Sequence, residues 1–223
     1  MKIENKQLKL ILICGVLGSL LMAGSDWLMI YGDTAYTGNL AWLTVGVSKI
    51  SSQRNAIALA FAFPAVIFYA IALFKIACFF KESKESKTYE LLTTISMTPW
   101  LALHLFYVMI LFIFAYLGNN GYQEIMHVLC ESIFSQFSFA IMVSEVLMVL
   151  PFVYFMLETL KGKTVFDKTF GYINPLILFV GLKLITMLMP NNAFRLAFTN
   201  GLMSETMLIW FILVYLKTKK IHA

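Results

Sequence analysis

The chain has 223 residues, 60% of them hydrophobic and 13% charged, with a mean hydropathy of +0.80 and a net charge of +5. A soluble domain carries about twice that share of charge, and short alternating segments of the membrane β-barrel kind are not evident, so both classes are excluded. The lysines gather in patches between apolar runs, which argues against nucleic acid as a partner, and Cys14, Cys78 and Cys130 form neither a Cys-x-x-Cys pair nor a disulfide framework.

A bilayer core of about 30 Å takes roughly 20 residues of helix. Six segments meet that requirement, at about 9–31, 56–80, 91–117, 129–157, 172–189 and 197–216. The first follows Lys2, Lys6 and Lys9 in the manner of a signal peptide, but its apolar run continues past Gly24 as DWLMIY, which suits an uncleaved helix. The next connection contains NLAWLTVGVSKI, apolar yet too short to span. It is expected to be an outer interfacial segment at about 39–50, with Trp42 near the headgroups. Pro64, Pro99 and Pro151 fall inside the second, third and fourth spans, and Pro175 and Pro190 bound the fifth and shortest. Proline is tolerated at such depth where neighbours satisfy the freed carbonyl.

The connections assign sides. Lys75, Lys81, Lys84 and Lys87 surround the second, Lys161, Lys163 and Lys168 occupy the fourth, and Lys217, Lys219 and Lys220 form the tail. The alternate connections hold only Lys49, Arg54 and Arg195. The positive-inside rule then predicts cytoplasmic N and C termini. The expected fold is all-α, a polytopic transmembrane bundle of six spans forming a single domain over residues 1–223.

Polar side chains fall in stripes along these helices. Asp26 and Asp33 share a face of the first, beside the small row of Gly15, Ser19 and Ala23. The third carries Ser96, Trp100, His104 and Tyr107 at helical spacing, and the fourth Glu131, Ser135, Ser138, Met142 and Glu145. Lys183 and Thr186 lie on the fifth, and Asn200, Ser204 and Glu205 on the sixth. A charge at the bilayer centre costs at least about 2.5–3.5 kcal/mol, so such groups pair or face water. One lysine cannot neutralise Asp26, Glu145 and Glu205 together. The expectation is therefore an outward-opening polar cavity bordered by Asp26, Trp100, His104, Tyr107, Glu145, Lys183 and Glu205.

Excess carboxylates beside aromatic rings suit a small cationic or amphipathic, lipid-like ligand, bound or transported. No cofactor is called for, membrane lipids are the surrounding partners, and a transporter of this size is expected to be small or a homo-oligomer. A structural or partner-binding subunit, with the polar groups as interhelical glue, is a second reading. An intramembrane enzyme on a lipid-like substrate is a third, with His104 as base, Glu145 orienting it, and Ser135, Ser138 or Ser204 as nucleophile. EIMHVLCE places Glu124, His127 and Glu131 on one helical face, as in carboxylate-rich metal bundles. Those sites need a second such motif, which the chain lacks, so no metal is assigned.

Asp26 in the first helix, Trp42 and Arg54 after it, Pro64 in the second and His104 in the third together resemble uncharacterised small bacterial six-helix integral membrane proteins. The resemblance spans the chain and implies a bacterial inner-membrane, multi-pass location. It supplies no activity.

Overall fold

The computed structural model describes residues 5–30 and 46–221. Among them the regular elements are helices: α1 Asn5–Ile30, α2 Ser52–Lys75, α3 Ser83–Asn119, α4 Gln123–Leu160, α5 Pro175–Leu188, α6 Ala193–Asn200 and α7 Leu202–Ile221. Short 3-10 turns at Val47–Lys49, Ile76–Phe79 and Lys168–Tyr172 join them. Asp33, Trp42 and the first part of the 39–50 segment lie outside the described residues; its last part is the turn Val47–Lys49.

Four helices are long and apolar enough to cross a membrane: α1, α2 with its following turn, α3 and α4. The pair α6–α7 passes the same test together but is bent by 66°. The expected fifth span is the 14-residue helix α5, about 21 Å long at 1.5 Å per residue. The chain is a multi-pass helical membrane protein with four or five spans of full length.

Local chemistry sets the helix ends. Ser51, Asn174 and Asn192 each accept a hydrogen bond from a backbone N–H of the first turn of α2, α5 and α6, and Pro175 follows Asn174 at the first helical position, where its missing N–H costs nothing. After α3 and α4 the chain turns through Gly121 (φ 83°) and Gly162 (φ 77°), a conformation that other residues adopt at a cost.

α1 and α2 form the tightest pair, because α2 turns a row of small residues toward α1. Ala58, Ala62, Ala65 and Ala72 are fully buried, and Ser25 donates to the Ala58 carbonyl at 2.9 Å. A Cβ on Gly18 would stand 2.8 Å from the Tyr69 backbone nitrogen and 3.1 Å from the Ala65 oxygen. Backbone cannot step aside as a side chain can. Gly18→Ala is therefore expected to cost about 2 kcal/mol by overpacking, read as a lower midpoint in denaturant unfolding from mixed micelles. An unchanged midpoint would mean that the two helices separate freely.

The two halves of the bundle differ. At the lysine-rich end, Phe79, Phe80, Tyr89, Phe155, Phe166, Phe170 and Trp210 pack ring against ring. Two connections are clasped there: Lys81 N–H donates to the Lys163 carbonyl and Val165 N–H to that of Phe79, both at 2.9 Å. The Lys163 ammonium reaches Glu85 at 2.5 Å and Glu158 at 3.4 Å, and the Glu85 hydrogen bond holds its pKa above the ordinary lysine value. Lys217 of α7 pairs with Asp167, whose carboxyl is pulled down to about 2 by that bond and by the Thr169 hydroxyl. At the opposite end the contact between α4 and α7 opens.

Candidate functional site

The opening has a structural origin in α4. Its chief neighbours are α3, the Lys168–Tyr172 turn and α5. Phe152 and Phe155 carry its ring contacts to Trp210 of α7. Beyond them, toward the far end, Ser135, Phe139, Met142 and Glu145 are exposed. Between α3, this half of α4 and the start of α7 lies a cavity of about 360 Å³.

Its polar pole is assembled from three helices. Ser204, at the start of α7, donates its hydroxyl to Asp26 Oδ2 at 2.8 Å. His104 Nε2 stands 3.8 Å from Asp26 Oδ1, longer than a hydrogen bond, and is buried with no hydrogen-bond partner among the described residues. The side chains of His104 and Asp26 are 15% and 13% exposed. Trp100 lies against the His104 ring, centroids 5.9 Å apart, and Tyr107 meets Phe134 edge-on at 6.3 Å. Phe134, Phe137, Ile141 and Met203 supply an apolar wall, and Asn200 stands at the rim.

A parallel contact sits one residue along each chain segment. Trp27, next to Asp26, donates its indole N–H to Glu205 Oε1 at 2.6 Å, and Glu205, next to Ser204, is buried, its Oε2 without a partner among the described residues. A Cβ on Gly201 would lie 3.3 Å from the Trp27 ring and 3.4 Å from Glu205 Oε1. Glycine at the α6–α7 bend thus allows the indole to reach the carboxylate. Arg54 adds a hydrogen bond to the Trp27 carbonyl at 2.9 Å.

The structure brings Asp26, Trp100, His104, Tyr107 and Glu145 to one cavity. Glu205 sits behind its polar pole. Lys183 does not join them; it is exposed on α5. Ser204 and Trp27 complete the site, and their roles depend on which helices touch. The signal available in the sequence was a pair of polar dipeptides, Asp26–Trp27 and Ser204–Glu205, each inside an apolar run.

The arrangement limits the chemistry. Ser135 and Ser138 donate to carbonyls of their own helix and are exposed. The Ser204 hydroxyl is engaged as a hydrogen-bond donor to Asp26, and the histidine faces the other carboxylate oxygen, so the carboxylate stands between hydroxyl and imidazole. Glu124, His127 and Glu131 lie exposed on α4, and no group of three or more candidate ligands is placed to hold a metal among the described residues.

Comparison with the curated proteins and with the solved structures finds no match. Over residues 1–221 the chain matches the model described as "Family of unknown function (DUF6796)", and it belongs to that family.

Proposed function

We propose that this cavity binds an amphipathic, lipid-like molecule whose cationic, hydrogen-bond-donating head sits between Asp26 and His104. The single observation that carries the reading is the separation of Asp26 Oδ1 and His104 Nε2. At 3.8 Å apart, and with the imidazole nitrogen without a partner among the described residues, they leave room for one donor atom to bond both, at about 2.8–2.9 Å from each. An ammonium group can donate to the carboxylate and to a neutral imidazole together. Trp100 and Tyr107 line the same cavity, and aromatic rings there favour a cationic head. The apolar wall of Phe134, Phe137, Ile141 and Met203 suits a hydrocarbon chain, which reaches it through the gap beside α4.

In this reading the lysine-rich end faces the cytoplasm, both termini are on that side, and the site lies in the outer half of a bacterial inner membrane. The short α5, extended by its flanking residues, and the bent α6–α7 pair complete six crossings, with local thinning or tilt absorbing the shortfall of α5. Entry from the bilayer suits binding or transport of a lipid-like molecule.

Native mass spectrometry of gently extracted protein tests the reading beside Ile141→Trp, which fills the apolar wall without touching a charge. The wild type should carry a small-molecule adduct and the variant should lose most of it. A wild type that carries no adduct, even after incubation with cationic amphiphiles such as long-chain amines, would refute the ligand.

A further inference from the structure

We infer that the open flank of α4 is a self-association surface, and that Lys183 of one copy pairs there with Glu145 of another. This goes beyond the ligand reading and stands without it.

The first support is the state of α4. It is the least buried of the four long helices. Its exposed residues include Ser132, Ser135, Gln136, Ser138 and Glu145, side chains that hydrocarbon cannot satisfy. Ser132, Ser135 and Ser138 make hydrogen bonds within α4, whereas Glu145 has no ion pair among the described residues. The second support is on the neighbouring α5, where Lys183 is exposed and likewise has no ion pair among the described residues. One flank thus offers an unpaired anion and the next helix an unpaired cation.

Their depths agree. Asn174, which caps α5, donates to the Phe152 carbonyl of α4 at 2.9 Å and so pins the two helices to a common level. From that level Glu145 is seven residues away along α4 and Lys183 nine along α5, or about 10 Å and 13 Å. A two-fold axis along the membrane normal preserves depth. It sets α4 of one copy beside α5 of the next and makes the pair twice. Each α4 then gains the partner subunit's Lys183 opposite Glu145, at the mouth of the cavity. The chemistry identifies the occupant as a second copy, because the complementary charge is carried by this same chain at the required depth.

Single-molecule photobleaching of labelled protein in liposomes, over a range of protein-to-lipid ratios, tests the interface. The wild type should show a dimer. Glu145→Gln and Lys183→Met should each weaken it at least about tenfold. The exchanged double variant Glu145→Lys/Lys183→Glu should recover most of the loss. Because poor folding of a single variant would mimic this loss, a second readout leaves both charges intact. Ser138 is fourteen residues from the Phe152–Asn174 level and Met187 thirteen, on the helix faces that carry Glu145 and Lys183. In a background with the native cysteines replaced by alanine, Ser138→Cys/Met187→Cys should yield a disulfide-linked dimer on a non-reducing gel. A wild type that stays monomeric at every ratio, a dimer indifferent to both charges, an exchange that restores nothing, or a disulfide found only within one copy would each overturn the inference.

Discussion

Asp26→Asn should strip the bound amphiphile from the protein. The substitution keeps an acceptor for the Ser204 hydroxyl, which donates to Asp26 Oδ2 at 2.8 Å, and keeps the shape of the cavity. What it removes is the charge facing the ligand head. A hydrogen bond to a charged group is worth about 1.5–3 kcal/mol, so affinity should fall by about tenfold to a hundredfold. Glu145→Gln is the informative contrast. Its carboxylate borders the cavity but is not one of the two groups that the head bridges, so at most a few-fold loss is expected. Titration of each variant with the amphiphile identified in the wild type, followed by native mass spectrometry, decides the matter. Equal affinities in the wild type and Asp26→Asn would move the head group away from the Asp26–His104 gap and remove the basis for the ligand reading.

The same geometry explains why Asp26 is tolerated inside an apolar helix. Its carboxylate meets a hydroxyl from α7 and faces an imidazole from α3 at the inner wall of a cavity, rather than lipid. Neither contact is a neutralising lysine.

Much of this was legible in the residues before any coordinates. Runs of apolar residues about 20 long can only be helices in a bilayer, and helical spacing put Trp100, His104 and Tyr107 on one face of α3, where the cavity lies. Depth along a helix could be counted. What could not be counted is the angle at which a helix meets its neighbours. Lys183 shows the difference: its depth matches that of Glu145, yet it is exposed on α5 and away from the cavity. The start of α5 was available from the Asn174–Pro175 cap, since Asn accepts from the first turn and Pro suits the first position; it leaves too few residues for a full crossing. The 66° bend at Gly201 was not available. Glycine alone does not break a helix. This one lies where the Trp27 ring approaches the backbone, and that contact is made across 174 residues of sequence, 201 minus 27.

The Trp27–Glu205 contact beside that bend carries the largest expected effect on stability. Glu205 is 8% exposed and accepts from the Trp27 indole at 2.6 Å, while Oε2 has no hydrogen-bond partner among the described residues. Trp27→Phe keeps a ring against Phe194, which the indole now meets edge-on at 5.3 Å, but removes the donor. Leaving a buried acidic group without its partner costs about 2–3 kcal/mol. Part of that cost should vanish when the acid goes too. In a Glu205→Met background the same tryptophan change should cost less than half as much, the remainder being lost ring contact, so the double-mutant cycle should show a coupling of about 1–2 kcal/mol. Denaturant unfolding in mixed micelles measures all four corners. A coupling near zero would mean that the two side chains meet without either depending on the other, and that the bend at Gly201 is held by the packing of Trp27 alone.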